Sequence, residues 1–393
     1  MTRRWDVVIV GAGIHGAGVA QAAAAAGHSV LVLEQSAIAA GSSSRSSKLI
    51  HGGLRYLESG QLRLVRESLH ERKLMLRLAP ELVHLQKFYI PVYRQTRRRP
   101  WQLRTGLSLY ALLAGLDSTA HFGTVPRQLW AQLDGLETQD LDQVFWYHDA
   151  QTDDERLTAA VVRSAQSLGA ELALPAQYLG ATLGDAAVRV RYRCAGAEQE
   201  CEAGVLVNAA GAWAGALANG IEPKIAVPAL ELVQGSHLVF EGPPQAGVYY
   251  VESPRDGRAI FVMPWRGKLL VGTTEVRFHG DPATVAPGAQ EIHYLQAVLR
   301  QYFPRFRAAG ASQPIASFAG LRVLPAGEGH AFHRSRETLL TTDRPVHPRL
   351  LSIFGGKLTT WRAVSARALA MIAPSLPQRH AAARTDQLEL RAS

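Results

Sequence analysis

Asp6-Val7-Val8-Ile9-Val10-Gly11-Ala12-Gly13-Ile14-His15-Gly16 opens with a β-branched run suited to a buried parallel strand and breaks into three glycines spaced GxGxxG. An alanine-rich stretch through Ala26 predicts a helix, which Gly27-His28 ends. A second apolar strand over 29–33 stops at Glu34. Strand, glycine turn, helix and a strand with an acidic end make a dinucleotide-binding α/β unit. Gly11 allows the tight turn, Gly13 lets backbone amides approach a pyrophosphate, and Gly16 lets the helix lie close to the strand. Gly11, Ala12, Gly13, Ile14, His15 and Gly16 therefore form the expected cofactor cradle at a helix N-terminus, His15 being a loop residue without chemistry of its own. Glu34, with Gln35 beside it, is placed to accept hydrogen bonds from ribose hydroxyls, and its charge opposes an added 2′-phosphate.

Outward from this unit, residues 41–48 are rich in serine, and small hydroxyls with free backbone amides suit cofactor phosphates. Ser43, Ser44, Ser46 and Ser47 are the expected contacts, continuing into Lys48, Leu49 and Ile50. Residues 62–78 have helical spacing with one apolar stripe. Arg97-Arg98-Arg99-Pro100-Trp101 leads into an apolar helix over 103–116, a pairing that suits either a membrane surface or an internal helix behind a solvated loop. A helix over 157–168 precedes a strand over 171–174, and 205–213 reads as a buried strand running into a glycine turn that carries Ala210, Gly211 and Trp213. Between 232 and 275 the pattern becomes strands and turns, with a hairpin of 258–265 and 268–274 around Arg266-Gly267, so an antiparallel sheet is expected. Residues 350–361 form a strand, the pair Gly355-Gly356 and a helix start. The expected organisation is a discontinuous cofactor domain of 1–90, 150–215 and 317–375, a substrate domain of 91–149 and 216–316, and a tail of 376–393.

Composition narrows the function. With 47% apolar residues the chain is globular, and its net charge of +9 favours anionic partners. Its basic residues are dispersed and no recognition motif accompanies them, so a nucleic-acid role is set aside. The two cysteines, Cys194 and Cys201, can face one another across a hairpin, yet neither a CxxC pair nor metal-ligand spacing occurs, so both are read as structural and no metal is expected. The first residues enter a strand at once, leaving no room for a signal peptide, and no apolar run spans a bilayer. A cytoplasmic location is expected.

Taken together, 11–16, Glu34, 46–58, 208–213, Gly235-Ser236-His237, Gly272-Thr273-Thr274, Gly320-Leu321-Arg322 and 354–362 resemble the FAD-dependent glycerol-3-phosphate dehydrogenases over nearly the whole chain. The most specific segments are Ser47-Lys48-Leu49-Ile50-His51-Gly52-Gly53-Leu54-Arg55-Tyr56-Leu57 and Phe354-Gly355-Gly356-Lys357-Leu358-Thr359-Thr360. The resemblance implies an α/β fold: a Rossmann-like FAD-binding domain of the amino-acid-oxidase-like, glutathione-reductase-type superfamily, interleaved with an antiparallel-sheet substrate domain. It implies bound FAD, contacted also by Gly355, Gly356, Leu358 and Thr359, and oxidation of sn-glycerol 3-phosphate to dihydroxyacetone phosphate by hydride transfer from C2 to flavin N5. A quinone or another acceptor would take the electrons, at a peripheral contact with the inner face of the cytoplasmic membrane.

A phosphomonoester needs several charge-assisted hydrogen bonds, each worth about 1.5–3 kcal/mol. By the resemblance Arg55, Tyr56, Arg336 and Lys357 bind substrate, while His51, His237 and Arg322 are catalytic: the histidines as base and orienting group, in an order left open, and Arg322 for charge developing on the C2 oxygen. Members of that family usually continue with a further helical domain, which this sequence does not carry after its last helix, so oligomer contacts, membrane attachment and acceptor docking are the properties expected to differ. Two other readings stand beside this one: a flavin oxidase of an amino acid or 2-hydroxy acid, and a flavin-binding accessory subunit without turnover.

Overall fold

The computed structural model describes residues 3–242, 247–326 and 338–392. Val7, Val8 and Ile9 are buried on both faces of strand β1 (Arg4–Val10), as a central parallel strand requires. β1 pairs in parallel with β2 (Val30–Leu33) on one side and with strand Ala197–Asn208 on the other. Leu350–Phe354 and Glu171–Ala173 extend this parallel layer outward. Helix α1 (Ile14–Ala25) is buried all round except at His15, which its alanines permit. It packs between this sheet and the helices Asp154–Ser167 and Trp361–Ile372.

The second sheet has ten strands among the described residues and is antiparallel but for the pairing of Val248–Glu252 with Val83–Tyr93. Long ladders set Val83–Tyr93 against Leu141–Thr152 and Leu230–Phe240 against Ala316–Pro325, and the expected hairpin appears as Ala259–Trp265 and Lys268–Gly272. Helix Ala289–Tyr302 seals one face around Leu295, Val298 and Leu299. Strands Leu49–Ile50, Val83–Tyr93 and Ala316–Pro325 lie in this sheet, so it draws on both sides of the boundaries expected at 90 and 316. Pairing partners far along the chain, rather than local pattern, decide which layer a strand joins.

Two local expectations shift. The apolar helix starts earlier, at Pro100–Leu113, because Gln102 Oε1 accepts from the Arg99 amide at 2.9 Å and proline suits its first turn. The cysteines do not face each other: the hairpin register sets Cys194 against Ala197 and Cys201 against Val190, and both thiols are free.

Candidate active site

The two layers enclose a cavity of about 800 Å³, within the size range of cofactor and ligand sites. The glycine turn forms part of its wall. Gly11 has φ +104°, and a Cβ there would stand 2.7 Å from the Ala209 carbonyl oxygen; a Cβ on Gly16 would stand 1.9 Å from the Gly11 oxygen. No side chain fits at either position, and the helix presses onto the turn. α1 begins at Gly13 with no acidic residue in its first turn, so its positive end is left for an anion. Ser43 Oγ accepts from the Ile14 amide at 2.9 Å, tying the serine loop to that helix start. Glu34 accepts from the Ala12 amide at 2.9 Å and from Ser36 N and Oγ at 2.9 and 3.2 Å. A carboxylate has about four acceptor sites, so Glu34 both fixes the turn and keeps capacity for a hydroxyl.

Of the cofactor residues read from sequence, Gly11, Gly13, Ile14, His15, Glu34, Gln35, Ser43, Ser46, Ser47, Leu49, Ala210, Gly211, Trp213, Gly355, Gly356, Leu358 and Thr359 line this cavity. Ala12, Gly16, Ser44, Lys48 and Ile50 do not, and they act from behind it. Lys48 is 4% exposed and its Nζ lies 2.7 Å from Asp154 Oδ1, while the same carboxylate accepts from Ser46 N and Oγ at 2.9 and 2.7 Å. The lysine thus braces the serine loop with its charge compensated, and Ser44 contributes its carbonyl to that ammonium. Ile50 is fully buried beneath.

The two signature motifs meet. Thr359 Oγ1 accepts from the His51 amide at 3.1 Å, and Lys357 Nζ sits 3.8 Å from the centre of the Tyr56 ring, with Arg55 5.9 Å from it. His51, Arg55, Tyr56 and Lys357 all line the cavity, as do His237 and Arg322. His237 Nε2 is hydrogen-bonded to Ser47 Oγ at 3.0 Å, and its ring stacks on Phe318 with centres 4.9 Å apart. Burial first, then the charges of Arg322 and Lys48, hold this imidazole well below its ordinary range, so it is neutral at neutral pH. Arg336 lies outside the described residues.

Sequence reading missed three polar parts of the wall. Ser42 donates to the Leu321 carbonyl at 2.5 Å and belongs to the same serine run. Arg258 and Glu275 also line the cavity, bonded to each other at 2.8 Å. Their meeting was readable from the hairpin, since the register that opposes Phe261 to Gly272 brings these flanking residues together.

The sequence matches the family described as FAD dependent oxidoreductase over residues 6–362. It is 34% identical over 380 residues to the D-erythritol 1-phosphate dehydrogenase of Brucella abortus, covering 95% of this chain and 74% of that protein. It is likewise 34% identical over 377 residues to the glycerol-3-phosphate dehydrogenase of Pseudomonas aeruginosa, covering 94% and 72%. The fold superposes on the glycerol-3-phosphate dehydrogenase from Bacillus halodurans complexed with FAD with a TM-score of 0.77 at 24% identity, over 99% of this chain and 68% of that one. The glycine cradle, the open positive end of α1 and the Glu34 carboxylate fit FAD as the cofactor. On the match along most of its length, the chain belongs to the family of FAD-dependent oxidoreductases that includes the glycerol-3-phosphate dehydrogenases.

Proposed function

We propose that this protein oxidises sn-glycerol 3-phosphate to dihydroxyacetone phosphate and passes the electrons to a quinone or another acceptor. FAD, when bound, supplies the acceptor for the C2 hydride at its N5. The observation that carries the reading is the convergence of Arg55, Tyr56 and Lys357 on one cavity wall from segments three hundred residues apart. Two cations and a hydroxyl match a phosphomonoester's two charges better than they match one carboxylate. Ser47 and His237 orient the C2 hydroxyl; because the His237 imidazole resists protonation, His51 is assigned the proton and Arg322 the charge developing on oxygen. Arg336 is assigned to the phosphate on the family resemblance alone.

The same grip suits the longer polyol phosphate for which the Brucella relative is named, since both substrates carry a secondary alcohol beside a phosphorylated carbon. Anaerobic titration of the holoenzyme with each compound is the test. Bleaching of the flavin band by glycerol 3-phosphate is expected; an unbleached band with that compound would sink the proposal, and bleaching by D-erythritol 1-phosphate alone would move the substrate to the longer polyol phosphate. Lys357→Ala and Arg55→Ala should each raise KM about tenfold or more while leaving FAD content near normal. Unchanged KM in both would move the phosphate elsewhere.

We also infer a peripheral contact with the inner face of the cytoplasmic membrane, through the exposed face of helix Pro100–Leu113. Trp101 and Leu112 are exposed there beside Arg99 and Arg104. No helix among the described residues is long and apolar enough to cross a membrane.

A further inference from the structure

Arg322 enters the cavity from strand Ala316–Pro325, opposite Val233 and on the sheet face that carries Gly235 and His237. Gly235 makes room for it: a Cβ there would stand 2.8 Å from Arg322 Nη2 and 2.6 Å from Thr273 Oγ1. The guanidinium therefore lies against the backbone two residues from His237, at the heart of the site. Its Nη1 stands 3.9 Å from Glu275 Oε2, the oxygen that Arg258 Nη2 holds at 2.8 Å. Glu275 is only 4% exposed, so its carboxylate is kept at the cavity wall and out of solvent.

An arginine with no acid beside it is a ready partner for a substrate carboxylate. Here an acid is already there. A second carboxylate brought to Arg322 would meet a like charge in a partly desolvated space, whereas an alcohol would meet none and can donate a hydrogen bond.

We propose that Glu275, held by Arg258, is a specificity-determining residue that excludes carboxylates from the neighbourhood of Arg322 and so restricts the site to phosphorylated alcohols, shutting out amino acids, 2-hydroxy acids and phosphorylated hydroxy acids. The proposal rests on the polyol-phosphate reading of the same cavity and deepens it.

The probe is the L enantiomer of 3-phosphoglycerate, which shares the C2 configuration of sn-glycerol 3-phosphate, replaces its terminal carbinol by a carboxylate and leaves the rest unchanged. Its dissociation constant, read by calorimetry and by perturbation of the flavin spectrum, needs no turnover. The parent holoenzyme should bind it at least about tenfold more weakly than glycerol 3-phosphate, and Glu275→Gln should tighten it about tenfold while moving glycerol 3-phosphate by less than about threefold. Glu275→Asp, which keeps the charge, should keep the exclusion. Equal affinity of the parent for the two compounds overturns the proposal without any variant, as does a Glu275→Gln protein that holds FAD and binds 3-phosphoglycerate no better. Failure of glycerol 3-phosphate to bleach the flavin would sink the substrate reading instead, and the effect of Glu275→Gln on 3-phosphoglycerate would still be read.

Discussion

His15 stands inside the glycine turn at the cavity wall, and its Nε2 is buried with no hydrogen-bond partner among the described residues. Burial, with a smaller push from the charge of Arg367, lowers its pKa from 6.5 to about 4. The unfolded chain takes up a proton at this site below its ordinary pKa while the folded chain does not, so stability is lost as pH falls from about 6.5 toward 4. At pH 5 the loss relative to pH 7 is about 2 kcal/mol. A His15→Asn apoprotein should therefore lose about that much less than the parent apoprotein when urea midpoints are compared at the two values; equal losses would mean that the imidazole titrates normally. Lys48 shows the same gap between residue type and environment. Its place in a family motif was plain in the sequence, but its compensation by Asp154, a hundred residues on, depends on the packing of helix Asp154–Ser167 against the serine loop.

At the scale of elements, helix Leu62–Leu78, helix Pro100–Leu113 and strand Leu141–Thr152 meet in one buried polar knot beneath the His51 loop. Asp149 accepts from Arg72 and from the Tyr110 hydroxyl at 2.7 Å each, and from the Gly52 amide at 3.3 Å. Arg72 is as buried as its partner. Removing the anion from such a pair leaves an uncompensated buried cation, at a cost of about 3–5 kcal/mol. Asp149→Asn should lower stability by that amount in urea unfolding and loosen the loop bearing His51 and Arg55; a loss below about 1 kcal/mol would show that the knot is not a support. The helices over 62–78 and 157–168, the hairpin and the glycine unit were legible because each is written in periodicity and turn residues within one segment. The knot was not, because Arg72, Tyr110 and Asp149 carry no local pattern and become partners only when three elements pack. The same limit hid the sheet membership of Val83–Tyr93 and Ala316–Pro325, whose ladders join residues far apart in sequence.

For the whole molecule, the interleaving of the two sheets is what gathers the site: the chain contributes its glycine turn and serine loop early, His237 and Glu275 in the middle, and Arg322 and Lys357 late. On the proposed reading, electrons that enter such an enclosed cavity leave to a membrane acceptor, and the proposed contact is the apolar and basic side of helix Pro100–Leu113. Trp101 and Leu112 are 68% and 61% exposed and lie on one side of helix Pro100–Leu113, and Leu116, just beyond its end, is 68% exposed. Leu103, Leu107 and Tyr110 on the other side are buried, so the exposed residues are not needed to hold the helix in place. Arg94, Arg97, Arg99 and Arg104 are exposed on this helix or just before it and suit anionic headgroups. The protein should therefore co-float with vesicles of phosphatidylcholine and phosphatidylglycerol but not with phosphatidylcholine alone, and salt should weaken the binding. Trp101→Ser combined with Leu112→Ser should reduce the bound fraction about tenfold or more, while turnover with a soluble dye acceptor stays at the parent level. Equal flotation of parent and double variant would assign the contact to another face, and no flotation of the parent would remove the membrane from the proposal.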